Sequence, residues 1–212
     1  MVRIRKRSEP ACLTAERAAN RRFDDIDGEC KQSMRKALVG EQRELCCYCM
    51  CRISAGATTM VIEHLVAQSD PTRGQQLAMD WQNLFGSCTG GRRGPVSSHH
   101  CDASKQDTPL SFVLTDANIE SKIRYLGNGE IGSPDPTLDR ELKQVLCLNV
   151  AHLPNNRSAA LEGFLAYCTR RAPGAWTTEK IDKFINEVTT PTVSEPFIGI
   201  VLYQLKKRRN RC

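Results

Sequence analysis

No run of apolar residues in this chain approaches the roughly 18 that a membrane-spanning helix needs, so no transmembrane segment is expected. The opening "MVRIRKRSEP" is basic, but no apolar stretch follows it. That excludes a secretory signal and points to a cytoplasmic protein. Internal repeats and long low-complexity tracts are absent too. A disulfide framework is not expected, because the eleven cysteines are odd in number and no export signal accompanies them. Cys12, Cys30, Cys147, Cys168 and Cys212 stand apart from the others and read as buried small hydrophobes or free thiols.

What is present suits one domain with an elaborate periphery, or two small ones: 212 residues, 40% of them hydrophobic, which is enough for a core. The net charge of +6 is unevenly spread. "RIRKR" opens the chain, "GGRRG" lies at 90–94 and "KKRRNR" nearly closes it. Such clusters serve either as solubilising tails or as the electrostatic footprint of a polyanion partner.

The pattern is that of an α+β protein. "LTAERAANRRF" predicts a helix capped by Thr14. Residues 29–45 predict a second, with Met34, Leu38 and Leu45 facing a core. Two β-prone pieces, 51–54 and 59–64, flank "SAGA" as a hairpin would. "HHCDASKQD" starts a helix with Asp102 in its first turn. "LSFVLTD" and "KIRYLGNGEIG" read as strands, the second holding a Gly-Asn-Gly turn. "SPDPTLDRELKQVLCL" begins a helix after prolines, and helices fill 155–205 apart from breaks at "RAPGAW" and "TTPTVSEP".

Cys46 and Cys49 form a C-x-x-C knuckle, whose two thiolates can reach one ion from a tight turn. Zinc wants four such ligands. Cys88 and Cys101, which bracket the "GGRRG" loop, are the best remaining pair. A C-x-x-C can also be redox-active, but no thioredoxin-like βαβ pattern surrounds this one. A structural zinc explains how a loop-rich segment with few large apolar residues holds its shape.

Between the two cysteine pairs lie Glu63, His64 and Asn83; Asp102 and Lys105 follow the last cysteine. Metal-assisted phosphodiester cleavage needs a base for water and a divalent ion that neutralises the phosphate and the leaving oxygen. A neutral histidine suits the first role. Oxygen ligands suit Mg²⁺ or Mn²⁺ in the second.

"CCYC", "IEHL", "NLFGSC" and "HHCDASKQD" resemble the HNH endonucleases with their ββα-metal fold. More closely, the chain resembles the PtuB-type nuclease subunit of Septu and retron-associated antiphage systems. The segments "MVRIRKRSEPACLTAER" and "LCLNVAHLPNNRSAALEGF" share in that resemblance, which spans roughly residues 1–165. It implies His64 as general base and Glu63 as metal ligand or orienter. Asn83 would position the base or the metal, and Asp102 would be the third motif residue in place of the usual histidine. His100 rivals Asp102 for that role. His99 or His100 could replace a zinc cysteine, because the second C-x-x-C of many HNH proteins is opened here into a long gap. A PtuA-type ABC/SMC-like ATPase is the implied partner, perhaps with a retron reverse transcriptase and its RNA–DNA; the implied substrate is DNA or a tRNA-like RNA. The implied organisation is a basic N-terminal segment with helices (1–45), a zinc-clipped nuclease core (46–135) and a helical C-terminal region (136–212).

Each of these residues also has a structural use. His64 could be a satisfied histidine at a strand end, Asn83 a helix cap and Asp102 a charge at a helix N-terminus. His99 fits a loop and His152 a structural position. Arg92, Arg93 and Lys105 are either solvated charges or phosphate contacts. A non-catalytic zinc adaptor for nucleic acid or protein is the competing function.

Overall fold

The computed structural model describes residues 1–211 and is a mixed α+β protein, with helices gathered around two small antiparallel sheets. Among the described residues, no helix is long and apolar enough to cross a membrane. Cys212 lies outside the described residues.

Helix α1 spans Ala11–Ala18 and α2 spans Gly28–Glu41. The first starts earlier than the sequence suggested. Pro10 precedes it, with the fixed φ that suits a helix entrance. Thr14 therefore sits inside the helix and gives its hydroxyl to Glu9 at 2.6 Å instead of capping. Asp27 caps α2 by accepting from the Cys30 amide. Met34, Leu38 and Leu45 are all buried. Cys12 and Cys30, expected as free thiols, form a disulfide between α1 and α2, with Cα atoms 5.7 Å apart.

Strand β1 is Met60–His64 and β2 is Leu84–Cys88, paired antiparallel so that Met60 lies opposite Cys88 and His64 opposite Leu84. The hairpin expected across "SAGA" does not form. Residues 54–59 close on themselves instead, with Thr59 Oγ1 donating to the Ser54 carbonyl and the Thr59 amide to that of Gly56. Arg52 makes only an isolated bridge to Leu45. The apolar segment Leu84–Cys88 is buried throughout, so its backbone must find a ladder partner inside the protein, and β1 supplies it. The connection between the strands holds the short helix α3, Gly74–Leu77.

After β2, the "GGRRG" loop leads to α4, Asp102–Lys105. Gly90, at φ 59, lets the loop close, since a Cβ there would meet the His100 carbonyl oxygen at 2.0 Å. "LSFVLTD" forms no strand. Phe112 and Leu114 instead plug the core while Ser111 donates its amide and hydroxyl to buried Glu141. Helix α5 (Ile119–Lys122) leads to a minimal hairpin of β3, Arg124–Tyr125, and β4, Ile131–Gly132, around the expected Gly-Asn-Gly turn.

The C-terminal part is helical: α6 (Pro136–Arg140) runs into a π-helical turn, followed by α7 (His152–Arg171), α8 (Thr178–Thr189) and α9 (Ile198–Arg209). Arg157 ties α7 to the rest. Its buried guanidinium donates to the carbonyls of Gly129 and Leu148 at 3.1 and 2.7 Å. The amide of Cys101 donates to the Leu146 carbonyl at 2.9 Å, anchoring the start of α4 to this helical part.

Candidate metal centre and candidate active site

Cys46, Cys49, Cys88 and Cys101 are all buried, and their sulfurs lie within 4.8 Å of one another. The knuckle turn is held by the Met50 amide on the Cys46 carbonyl and by Met50 at φ 66. Cys88 arrives from the end of β2, and Cys101 precedes α4 at φ 54. The Cys46–Cys101 and Cys49–Cys88 sulfurs are 3.9 and 3.7 Å apart. A tetrahedron with Zn–S bonds of about 2.3 Å has edges of about 3.8 Å, so the donor set fits such an ion. Burial opposes ionisation of Cys46, but hydrogen bonds from neighbouring thiols, that of Cys101 first, hold it well below the ordinary thiol range. The hydrogen bond from Cys101 is likewise the largest influence bringing Cys49 down to about 6. The Cys88 amide donates to the Cys46 sulfur at 3.2 Å, as a backbone donor to a thiolate does. His100 does not replace a cysteine. Its Nδ1 lies 3.1 Å from the Cys101 sulfur and 4.0 Å from that of Cys88, over the cluster, and its ring faces His152. His99 is partly exposed, and its Nε2 is buried without a hydrogen-bond partner among the described residues.

The four-cysteine cluster lies at the far end of β1–β2. At the near end stand Glu63 and His64. His64 is buried, with the Phe23 ring edge-on at 4.4 Å and its Nε2 3.0 Å from the Ala78 carbonyl. A carbonyl only accepts, so Nε2 carries the proton and, in the neutral ring, Nδ1 carries the lone pair. Burial lowers the His64 pKa from its ordinary value. The imidazole is therefore held neutral.

Asn83 is used up by the backbone. Its Oδ1 accepts from the Val66 amide at 2.8 Å, and its Nδ2 donates to the carbonyls of Val66 and Leu77 at 3.0 and 3.1 Å. It therefore clamps the β1–β2 connection, and with it the Ala78 carbonyl that orients His64. Of the roles implied for Asn83, this bonding suits positioning of the His64 loop, because its side-chain amide is already bound to backbone groups.

Glu63 is 3% exposed. It accepts from the Tyr48 hydroxyl at 2.9 Å and pairs with Lys105 Nζ at 2.9 Å. Burial pushes its carboxyl up to about 8, with a hydrogen bond to neighbouring Asp102 adding to the effect and Lys105 pulling the other way. Lys105 also donates to the His64 carbonyl at 3.1 Å and is 1% exposed. Sequence left Lys105 as a solvated charge or a phosphate contact; α4 turns it inward, where its ammonium sits against the Glu63 carboxyl. Arg92 is exposed, and its guanidinium pairs with the Asp102 carboxylate. Arg93 is exposed, in the same loop.

Two residues gain a place here that sequence alone did not assign. Tyr48 lies inside the "CCYC" knuckle, where only the cysteines draw notice, yet its hydroxyl reaches Glu63. Ala78 acts through its carbonyl, which no side-chain pattern announces. Among the described residues, the four cysteines are the one cluster of three or more His, Cys, Asp or Glu ligand atoms drawn together. At the His64 end stand the neighbouring carboxyl groups of Glu63 and Asp102, the first paired with Lys105 and the second with Arg92.

A scan against protein-family models returned no match for this chain, and a search of curated proteins returned none.

Proposed function

We propose that the protein is an HNH-type endonuclease that hydrolyses phosphodiester bonds in DNA or RNA. Its β1–β2–α4 unit would be a small ββα-metal core clipped by a structural zinc on Cys46, Cys49, Cys88 and Cys101. The observation that carries this reading is His64: a neutral imidazole at the end of β1, oriented by the Ala78 carbonyl, with Nδ1 available, beside the Glu63–Asp102 carboxyl pair. A Mg²⁺ or Mn²⁺ ion held by those carboxylates would supply charge neutralisation for the phosphate and leaving oxygen. His64 takes the proton of the attacking water. Lys105 and Tyr48 hold Glu63 in place, and Asn83 fixes the loop that aims His64. Arg92 and Arg93 meet phosphate at the edge of the site, Arg92 after leaving Asp102.

The resemblance to Septu and retron-associated nucleases extends the proposal to an antiphage effector subunit working with an ABC/SMC-like ATPase.

His64→Ala tests this reading. Loss of a general base costs on the order of 10²–10⁴ in rate. The variant should therefore stop cutting plasmid and total RNA in Mg²⁺ while keeping its zinc and its fold. Cleavage by His64→Ala at the wild-type rate, with contaminating nuclease removed, refutes the mechanism.

A second reading, a non-catalytic zinc adaptor, draws on the burial of Glu63, His64 and Lys105 in mutually satisfied bonds. It is the one left standing if the pure protein, with and without its ATPase, cuts neither substrate.

A further inference from the structure

A cleft lies where the N-terminal segment, the end of α2 and the start of α9 meet. It encloses about 550 Å³. A water molecule takes about 30 Å³ of liquid, so the cleft has room for far more than a single small anion. Burial alternates along the N-terminal segment: Ile4 is buried and Lys6 half-buried, while Arg3, Arg5 and Arg7 are exposed. That period of two belongs to extended chain, where alternate residues share a side about 7 Å apart.

Six cations line the cleft against two carboxylates. Both carboxylates are already paired, Glu41 with the side chain of Lys6 and Glu120 with Lys206. Arg3 spends its Nε on the Thr115 carbonyl. The guanidinium groups of Arg5, Arg7 and Arg43 have no hydrogen-bond or ion-pair partner among the described residues. A planar guanidinium is shaped for bidentate contact with phosphate. The segment also leads toward the candidate base, because Lys6 Nζ donates to the Leu84 carbonyl at 2.7 Å and Leu84 lies opposite His64 in the β1–β2 register.

We propose that this cleft is a phosphodiester-binding subsite, in which Arg5, Arg7 and Arg43 hold backbone phosphates of a nucleic-acid strand that continues to His64. The proposal rests on the nuclease reading for the identity of the ligand. The subsite reads no base, because guanidinium–phosphate contacts carry no sequence information.

The test is fluorescence anisotropy on the full chain, without divalent ion, using labelled single- and double-stranded DNA of about 20 nucleotides over a salt series. Each phosphate contact contributes about 0.7–0.9 to the slope of log affinity against log salt. Arg5→Gln/Arg7→Gln/Arg43→Gln should therefore lower that slope by about 2–3 and weaken binding at least about tenfold near 0.1 M salt. A control with equal charge loss elsewhere, Arg21→Gln/Arg22→Gln/Arg170→Gln, should leave the slope within about one unit of wild type. Should the triple variant melt early, Arg5→Gln/Arg7→Gln, confined to the irregular N-terminal segment, should lower the slope by about two-thirds as much. An unchanged slope in the cleft variants, or an equal drop in the control, overturns the subsite. So does failure of the wild type to bind either DNA or a labelled RNA of the same length, which would assign the cleft to an acidic protein partner. The two proposals fail separately. Cleavage that survives His64→Ala sinks the nuclease mechanism but leaves a cleft-dependent slope intact. Cleavage lost in His64→Ala alongside an unchanged slope in the cleft variants sinks only the subsite.

Discussion

The charge balance between Glu63 and Lys105 can be measured by a double-mutant cycle over Glu63→Gln and Lys105→Met at two pH values. At 2.9 Å, an ionised pair attracts by about 6 kcal/mol with an effective dielectric constant of about 20. Desolvation offsets part of this, and breaking one side of a buried pair costs about 3–5 kcal/mol. Burial, first, raises the Glu63 carboxyl to about 8. The pair is then ionised near pH 9, and the carboxyl is mostly protonated near pH 6. The folded state binds the Glu63 proton more tightly than the unfolded chain does. That contribution to stability is complete below the ordinary glutamate value and is lost as pH rises through about 8. The coupling to Lys105 has the opposite trend, because it needs the ionised carboxylate. The expected coupling energy is about 3–5 kcal/mol near pH 9 and about 1 kcal/mol near pH 6, the worth of a hydrogen bond to an uncharged group. Urea unfolding followed by circular dichroism, with zinc present, reads both; urea is chosen because it does not screen charge. The cycle cancels the loss of the Lys105 bond to the His64 carbonyl, which occurs with or without Glu63. A coupling below about 1 kcal/mol near pH 9, or one that is equal at both pH values, refutes the assignment of Lys105 as the buried counter-ion.

Three further expectations concern the metal cluster, the clamp and the base. Purified reduced protein should carry about one zinc per chain, and Cys101→Ser should lower both that ratio and solubility; elemental analysis that finds no zinc contradicts the cluster's role. Asn83→Ala removes three hydrogen bonds to the β1–β2 connection and should cost about 2–4 kcal/mol, with cleavage falling through kcat; a wild-type unfolding midpoint in urea would show that the clamp is idle. Because burial lowers the His64 pKa, the unfolded chain holds the extra proton just below the ordinary histidine value, so stability rises with pH through that window and is complete above it. His64→Ala should flatten that limb of the stability curve, and an unchanged limb would assign it to another group.

The spacing of cysteines made the metal cluster legible. A C-x-x-C knuckle confines two sulfurs locally, and Cys88 and Cys101 bracket a loop whose glycines allow its return. The helical C-terminal region was equally legible, because its apolar periodicity and its breaks at "RAPGAW" and "TTPTVSEP" act over a few residues. Glu63 and His64 could be marked as chemically able because their side chains carry that ability wherever they fall.

Tertiary structure decided the pairings. Residues 51–54 and 59–64 have strand propensity and a turn between them, yet β1 pairs with Leu84–Cys88, because that buried segment has ladder bonds to satisfy and the "SAGA" stretch satisfies its own. "LSFVLTD" alternates like a strand but makes a single backbone bond to the N-terminal segment, from the Ile4 amide to the Leu114 carbonyl, so it packs as irregular chain. Cys12 and Cys30 become partners only because α1 and α2 bring them together. Lys105 shows the difference most clearly. Its residue type and its place just after Cys101 suit a phosphate contact, but the turn of α4 carries its ammonium inward to Glu63, whose ionisation it favours against the stronger opposing effect of burial. Sequence determines which groups are able to do chemistry; the folded chain determines which of them are spent on each other and which remain free to meet a substrate.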